Sequence, residues 1–428
     1  MTTNKIKVLL FDLDGTLIDT SILESFRSLN HHLYGTPNYI TAIENYLSRY
    51  NSANDRERMV YFNEWCMGEL KRIVQYIGVI TQSPKDYAET VLKWAYPRFP
   101  FDILIAHEDI SEQKPKPNSI YAAVNDFFSK SNVPNEEKDP NEVLYIGNEN
   151  SDIETAYNAG IMSAIKLKDQ QNRSELHLKL IPEFEIHNFS ELKKVLLSPN
   201  ELLPIMECGT DNISDLIFSA PFRYEIKSDE NKEHYEIMVS GRYFPKETTF
   251  KIKRKYHKLS HDILDNKNSL EYSDKWFETL RILLKNETES SLVEENYNIV
   301  LTCIPKRKDQ QDRLELLLYA LSQYLSEHPV NTDCQIHICP DLLAYTENAV
   351  SNHKEAKTKQ RRFQNVEDNL FVKRPELLKN IKKVIVIDDV VTTGASLIGA
   401  SKKINRVVAN LAVVRFAFAQ TFSELNYL

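Results

Sequence analysis

Asp12 and Asp14 stand two residues apart at the end of an apolar run and are followed by Gly15 and Thr16, in the sequence VLLFDLDGT. In an extended backbone, alternate side chains point to the same side, so both carboxylates can face one site. One carboxylate could attack phosphorus and form an aspartyl phosphate, while the other protonates the leaving oxygen and later activates water. Two carboxylates this close repel each other unless they share a proton or a cation, so the pair also predicts bound Mg²⁺.

A second group of chemically active residues lies near the other end of the chain, in the sequence VIVIDDVVTTGAS. Asp388 and Asp389 follow an apolar strand run and could accept hydrogen bonds from the hydroxyls of a ribose. The small residues after them open a predicted helix, and backbone N–H groups at such a helix start form a cradle for an anion. Hydroxyl donors are added by Thr392, Thr393 and Ser396. The pattern therefore predicts a site for a ribose phosphate.

The elements that must position Asp12 and Asp14 form a predicted α/β domain over residues 1–197. Strands are predicted at 6–11, 77–81, 102–106, 143–147 and 161–167. Helical patterns lie between them, and this alternation is typical of a parallel sheet covered by helices on both faces. In open sheets of this kind, ligands bind at the carboxyl ends of the strands. Residues 20–75 interrupt the alternation with a helical insertion, which we interpret as a cap.

The rest of the chain is predicted to contain a linker at 198–220 and a second α/β domain at 221–428. Polar and apolar residues alternate at 221–256, which predicts a β-hairpin or small meander. Its role stays open between a lid, a dimer surface and an extension of the domain. Further strands are predicted at 298–304, 334–339, 383–388 and 406–418, the last beginning as helix, with helices at 310–326 and 396–403. We therefore expect two Rossmann-like parallel-sheet domains with a small β-rich segment between them.

Composition and charge narrow the class of protein. The 428 residues carry a net charge of −8, which gives no support to nucleic-acid binding. No apolar run approaches the roughly 18 residues needed to cross a membrane. The five cysteines show no CxxC spacing, and the first residues run into a strand without a cleavage site. These features favour a cytoplasmic protein without a membrane span, a zinc ribbon or a signal peptide.

Residues 1–197 resemble the haloacid dehalogenase (HAD) superfamily in four pieces that occur in the family's order. FDLDGT supplies the nucleophile, Asp12, and the general acid and base, Asp14. GVITQS places Thr81 where the family holds the phosphoryl group with a hydroxyl. QKPKP supplies Lys114, which in the family neutralises the phosphate and the attacking carboxylate. The resemblance implies a Mg²⁺-dependent phosphatase in which these four residues are catalytic.

The fourth piece, YIGNENSDIETAYNAG, resembles the family's metal loop but departs from its usual GDxxxD pattern. Asn148 stands in place of the first acid and offers a carbonyl oxygen without a charge. Glu149 is acidic, and some members of the family bind metal from that second position, while Asp152 matches the later acid. The metal ligands implied by the resemblance are Asp12, Asp14, Asn148, Glu149 and Asp152.

The C-terminal sequence VIVIDDVVTTGAS closely resembles the loop that binds phosphoribosyl diphosphate (PRPP) in type I phosphoribosyltransferases, a resemblance that covers about residues 295–428. A strand ending VLTCIPKRK would supply the diphosphate loop, and RRFQNVEDNLF resembles the ComF-like branch, whose zinc ribbon is missing here. Residues 353–372 are interpreted as a mobile hood and the strand after it, and 256–268 as a divergent lead-in helix. The implied PRPP-binding residues are Lys306, Arg307, Asp388, Asp389, Val391, Thr392, Thr393, Gly394, Ala395 and Ser396.

Together the two resemblances imply a bifunctional enzyme of nucleotide metabolism that acts on small molecules. One domain would transfer phosphoribose between PRPP and a base-like acceptor, in either direction, and the other would hydrolyse the resulting 5-phosphate. An alternative is a phosphatase regulated by a domain that senses PRPP without transferring phosphoribose. A third interpretation is a non-catalytic regulatory protein that keeps both folds. The acceptor base and the oligomeric state, including a homodimer, stay open.

Overall fold

The chain folds into two compact units, of which the first comprises Met1–Leu202 and Lys246–Tyr256 and the second Leu203–Pro245 and His257–Asn426. The computed structural model describes residues 6–131, 139–168, 171, 180–214, 216–228, 233–269, 271–289, 297–308, 310–330, 334–349 and 358–422. Within this part of the chain, no helix combines the length and apolar character needed to cross a membrane.

The first unit is built on a six-stranded parallel sheet. Its strands are β1 (Val8–Asp12), β2 (Tyr76–Ile80), β3 (Ile103–Ile105), β4 (Val143–Gly147), β5 (Met162–Lys166) and β6 (Phe184–Ile186). Its helices are α1 (Asn38–Leu47), α2 (Ala53–Met59), α3 (Glu64–Ile73), α4 (Lys85–Ala95), α5 (Asn118–Ser131), α6 (Asn150–Ala159), α7 (Phe189–Leu197), α8 (Pro199–Leu202) and, later in the chain, α9 (Lys251–Tyr256).

The strand order of this sheet, β3-β2-β1-β4-β5-β6, places a topological switch point between β1 and β4. From β1 the chain continues to one edge, and from β4 it continues to the other, so the carboxyl ends of these two strands border the crevice where open α/β sheets bind ligands. All residues of β1 and β4 are buried, as expected for strands covered on both faces. The predicted cap at 20–75 is largely helical and contains α1, α2 and α3.

The second unit contains strands β7 (Arg223–Ser228), β8 (His234–Val239), β9 (Arg242–Tyr243), β10 (Asn298–Cys303), β11 (Gln335–Ile338), β12 (Leu343–Tyr345), β13 (Leu370–Val372), β14 (Lys383–Val391) and β15 (Ala412–Thr421). Its helices are α10 (Lys258–Ser269), α11 (Asp274–Glu289), α12 (Arg313–Glu327), α13 (Lys359–Asn369) and α14 (Ala395–Val407). The main sheet has the order β11-β10-β14-β15-β8-β7, with β9 paired to β15 and only β7 antiparallel to its neighbour. Its switch point lies between β10 and β14, and β12 pairs with β13 apart from this sheet.

Several elements of the second unit differ from the sequence predictions. The expected linker at 198–220 is largely folded, because Ile205, Met206 and Ile213 are buried in the core of the second unit. The strand predicted at 383–388 continues to Val391, and the 406–418 segment is split between the end of α14 and β15. Helix α11 was not predicted. Of the predicted hood and strand at 353–372, residues 353–357 lie outside the described residues, and the remainder forms α13 and β13.

The predicted β-rich segment at 221–256 is also only partly extended, since its last residues form α9. Helix α9 packs on the first unit, where the ring of Phe250 contacts Tyr157 of α6 edge-on at 5.2 Å. Lys253 lies on the buried side of α9, with its Nζ 2.6 Å from Glu183 Oε1 and donating to the carbonyl of Ile161 at 2.8 Å. Alternation of polar and apolar residues therefore did not distinguish this amphipathic helix from a strand, because its buried partners are distant in sequence.

Replacing Lys253 with Met is expected to lower the free energy of unfolding of the first unit by about 3–5 kcal/mol, because Glu183 would stay buried without its cation. The Lys253 and Glu183 side chains are 5% and 3% exposed, so water cannot substitute for the lost ammonium group. Lys251→Met, an exposed lysine of the same helix, is the matched control. Urea unfolding curves should show an earlier transition only for Lys253→Met, and coincident curves for the two variants would contradict this account of α9.

Candidate functional site

Three charged side chains meet at the carboxyl end of the first sheet. Asp12 is the last residue of β1, and its Oδ1 lies 2.6 Å from Nζ of Lys114. The same ammonium group donates to Asp152 Oδ1 at 2.8 Å, and all three side chains are less than a tenth exposed. Burial raises the pKa of Asp12 to about 7 in spite of the opposing effect of Lys114. Burial alone would lower the pKa of Lys114, but the two carboxylates outweigh it and hold that pKa above its usual range.

The carboxylate of Asp14 is held by four hydroxyl groups. Its Oδ1 accepts hydrogen bonds from Thr20 Oγ1 at 2.7 Å and from the hydroxyl of Tyr87 at 2.9 Å. Its Oδ2 accepts from Ser83 Oγ at 2.7 Å and from Thr81 Oγ1 at 3.2 Å. The predicted catalytic residues thus form two hydrogen-bonded pairs, Lys114 with Asp12 and Thr81 with Asp14. The hydroxyls of Thr20, Ser83 and Tyr87 were not predicted from the sequence.

The loop after β4 is shaped around Asp152. Asp152 Oδ2 accepts the backbone N–H groups of Asn148 and Glu149, each at 3.1 Å, and its Oδ1 also accepts from the hydroxyl of Tyr145 at 3.0 Å. Gly147 is required here, because a Cβ atom at this position would lie 2.2 Å from the Asp152 side chain. With both oxygens engaged, the Asp152 carboxylate orients the loop and Lys114.

The five predicted metal ligands are not gathered into one ligand set. Among the residues that the structure describes, no group of three or more His, Cys, Asp or Glu side chains could hold a metal ion. Glu149 is exposed at the start of α6, and Asp14 and Asp152 are engaged by the hydrogen bonds given above. Two oxygens remain near each other, Asp12 Oδ2 and Asn148 Oδ1, which lie 3.3 and 3.1 Å from the hydroxyl of Thr16. Mg²⁺ prefers such oxygen ligands and completes its shell with water and phosphate oxygens, so these two residues fit it.

The second predicted site lies at the switch point of the second unit. Asp388 and Asp389 are consecutive residues of β14, and the backbone N–H of Asp389 donates to Asp388 Oδ1 at 2.9 Å. Asp389 Oδ2 pairs with Arg313 of α12 at 2.8 Å. Burial and the neighbouring carboxylate of Asp389 raise the pKa of Asp388, while the guanidinium of Arg307 acts in the opposite direction.

Arg307 follows β10 and stacks its guanidinium on the ring of Tyr345, with its carbon 4.8 Å from the ring centre. Its Nη2 donates to the Tyr345 hydroxyl at 3.3 Å, and that hydroxyl is also hydrogen-bonded to Ser396. Within the described residues, Arg307 Nε is buried and has no hydrogen-bond partner. A half-buried guanidinium with an unused donor at the end of a sheet can bind an anion. Lys306 takes no part in this cluster, because it is exposed and its Nζ pairs with Asp312 at 2.5 Å.

The remaining residues of the predicted PRPP loop are buried, hydrogen-bonded to neighbouring residues, or placed at the start of α14. Val391 is buried in β14 and Ala395 is buried at the start of α14, so they offer only backbone groups. Thr392 shares a hydrogen bond of 2.9 Å with the hydroxyl of Thr421 on β15, and Thr393 Oγ1 accepts the N–H of Ala395 at 3.5 Å. Gly394 caps α14 with a φ of 81°, a left-handed conformation that favours glycine. Arg313 and Tyr345 are further residues of this site that the sequence did not single out.

The first unit matches known proteins. A family model described as haloacid dehalogenase-like hydrolase matches residues 24–166. Pyrophosphatase PpaX of Bacillus cereus is 25% identical over 225 residues, which cover 46% of this chain and 99% of that protein. Pyrophosphatase PpaX of Bacillus mycoides is 26% identical over 219 residues, or 45% of this chain and 97% of that protein. A solved HAD-superfamily hydrolase of subfamily IA from Geobacter sulfurreducens matches with a TM-score of 0.28 and 16% identity, over 45% of this chain and 96% of that one. About 45% of the chain, at its N-terminal end, is therefore similar to haloacid dehalogenase-like hydrolases.

Proposed function

We propose that the N-terminal domain hydrolyses small-molecule phosphate esters through an aspartyl phosphate on Asp12. The observation that supports this most directly is the buried Lys114 ammonium group, 2.6 Å from Asp12 Oδ1. It can neutralise the attacking carboxylate and an incoming phosphoryl group in a site with little water to screen the charges. Asp14 donates the proton to the leaving oxygen and then accepts one from the attacking water, and Thr81 binds a phosphoryl oxygen through its hydroxyl.

Mg²⁺ is the metal that we assign to this site. Asp12 Oδ2 and Asn148 Oδ1 would hold it, since they are the two nearby oxygens that flank the hydroxyl of Thr16. When bound, the ion supplies positive charge to the phosphoryl oxygens. Because Asn148 carries no charge where the family has an acid, we expect the site to depend on only one carboxylate ligand.

We further propose that the C-terminal unit binds PRPP and transfers its phosphoribosyl group to a base-like acceptor, or runs this reaction in reverse. The observation in favour is the buried and unused Nε donor of Arg307, which lies with Asp388 and Ser396 at the switch point between β10 and β14. Arg307 would bind the diphosphate, and the backbone at Gly394 with the start of α14 would bind the 5-phosphate. Asp388 would accept a ribose hydroxyl.

The two activities would support each other through their products. Transfer from PRPP is reversible and yields a nucleotide and diphosphate, whereas hydrolysis of either product is effectively irreversible. A nucleotide 5-phosphate is one candidate substrate of the N-terminal domain. Diphosphate is a second, because the relatives that match this domain over 99% and 97% of their length are named pyrophosphatases.

The test is to incubate the full chain with PRPP and Mg²⁺, with and without a pool of free bases, and to follow diphosphate, orthophosphate and nucleoside separately. Base-dependent consumption of PRPP with nucleoside formation supports a transferase coupled to hydrolysis of the nucleotide. Base-dependent consumption with orthophosphate but an intact nucleotide assigns diphosphate as the substrate. If PRPP binds but is never consumed, the C-terminal unit is a sensor that regulates the phosphatase. If neither PRPP nor any phosphate ester turns over, the proposal is wrong.

Replacing Gly394 with Val is expected to weaken PRPP binding by about tenfold or more and to leave ester hydrolysis unchanged. Gly394 has a φ of 81°, and an added Cβ would lie 2.9 Å from the side chain of Ile237 and 3.2 Å from that of Ile398. The strain would shift the start of α14, which forms the proposed phosphate cradle. Isothermal titration calorimetry with PRPP measures the loss of affinity.

Gly35→Val is the control for Gly394→Val, since Gly35 also has a positive φ of 74° but has nothing within 4 Å of an added Cβ. Normal PRPP affinity in Gly394→Val would contradict this placement of the loop.

A further inference from the structure

Tyr87 belongs to none of the sequence pieces that resemble the HAD family, yet it contacts Asp14 directly. Its hydroxyl donates to Asp14 Oδ1 at 2.9 Å. The side chain is fully buried and starts from the first turn of α4. The surrounding core therefore fixes the position of the ring and, with it, the position of the hydroxyl group. Thr20 and Ser83 also hold Asp14, but their hydroxyls are carried on short side chains outside helices and strands.

The hydrogen bond from Thr81 to Asp14 has to be given up during the proposed reaction. Thr81 Oγ1 lies 3.2 Å from Asp14 Oδ2 in this structure. If the same hydroxyl binds a phosphoryl oxygen, Asp14 loses one of its four donors at the moment when its position matters. The donors that remain are Tyr87 and Thr20 on Oδ1 and Ser83 on Oδ2.

We propose that Tyr87 is a positioning residue that fixes the carboxyl group of Asp14 for proton transfer to the leaving oxygen, an inference that rests on the proposed phosphatase function. In the first step, the bond between phosphorus and the leaving oxygen breaks and a bond from Asp12 Oδ to phosphorus forms. The proton of the Asp14 carboxyl group passes to the leaving oxygen. In the second step, water attacks phosphorus, the Asp12–phosphorus bond breaks, and the proton of the water passes to Asp14.

Only esters with a poor leaving group need this proton transfer in the first step. An alkyl ester such as ribose 5-phosphate must release an alkoxide unless Asp14 protonates it, whereas p-nitrophenyl phosphate releases a stable phenolate without a proton. The ratio of kcat/KM for these two substrates therefore reports the position of the Asp14 proton. General damage to the fold or to phosphate binding would lower both values equally and leave the ratio unchanged.

Tyr87→Phe removes the hydroxyl and keeps the buried ring. With ribose 5-phosphate we expect kcat/KM to fall about 10- to 100-fold, the effect of losing one hydrogen bond to the carboxylate that forms as Asp14 gives up its proton. With p-nitrophenyl phosphate we expect a change of less than about threefold, because little proton transfer is needed. Tyr96→Phe is the matched control, since Tyr96 ends the same helix, is also buried, and donates only a long 3.4 Å bond to the carbonyl of Leu17.

Ser83→Ala provides a second variant, because Ser83 donates to the other oxygen of Asp14 at 2.7 Å and replacing serine with alanine leaves the core volume almost unchanged. It is expected to change the substrate ratio in the same direction as Tyr87→Phe. An equal loss with both substrates in both variants overturns the role of Tyr87 and leaves the phosphatase proposal intact. A wild-type protein that hydrolyses neither substrate overturns the phosphatase proposal and this inference with it.

Discussion

Asp12→Asn is expected to abolish ester hydrolysis, with kcat/KM reduced by about 10⁴-fold or more, the scale seen when a covalent nucleophile is removed. An amide cannot form the acyl phosphate, and neither of the other two carboxylates described at this site is free to replace it. Asp152 has both oxygens engaged by Lys114, Tyr145 and backbone N–H groups. Asp14 is enclosed by hydroxyl donors. Steady-state kinetics with the best ester from a substrate panel measures the loss.

The matched control for Asp12→Asn is the same substitution in the other unit, Asp388→Asn. Asp12→Asn should keep PRPP binding, and Asp388→Asn should keep ester hydrolysis, because the two residues lie in strands of different sheets. Mass spectrometry of the quenched reaction should also show a phosphorylated protein with wild type and none with Asp12→Asn. Retention of most of the hydrolytic activity by Asp12→Asn would show that the nucleophile is another group.

Strands β1, β2, β4, β10 and the first half of β14 could be predicted from the sequence because each one is a short apolar run between turn signals. β1 and β4 are buried on both faces, and burial on both faces is what produces such runs. The segments that were mispredicted have their partners far along the chain. Ile205 and Met206 pack into a core made by later helices and strands, and Lys253 pairs with Glu183, so local patterns could not indicate that these residues are buried.

The catalytic acids could be predicted because the chemistry requires particular residue types at a fixed spacing. The residues that hold these acids in place could not be predicted, since a hydroxyl such as that of Tyr87 reaches Asp14 only when β1 and α4 pack together in the fold. The same holds for Arg313, whose contact with Asp389 depends on where α12 starts above the sheet.

Lys114→Met is expected to destabilise the first unit at neutral pH by about 3–5 kcal/mol and to remove ester hydrolysis. The Lys114 side chain is 4% exposed, and its ammonium group is the cation shared by Asp12 and Asp152. Without it, two buried carboxylates would face each other across an apolar side chain. Urea unfolding of variant and wild type, compared at several pH values, measures the effect.

The pH dependence of this loss separates the charge of Lys114 from its packing. Burial raises the pKa of Asp12 to about 7, and loss of the ammonium group raises it further. An acid with a raised pKa in the folded protein weakens folding as pH rises from about 4, its unfolded value, through its folded value. The difference between variant and wild type should therefore be smaller near pH 5, where Asp12 is protonated in both folded proteins and Asp152 alone loses its cation, than near pH 8. Lys116→Met, an exposed lysine of the same loop, should show no difference at either pH. A loss in Lys114→Met that is equal at both pH values would mean that the charge interaction between Lys114 and Asp12 does not stabilise the site.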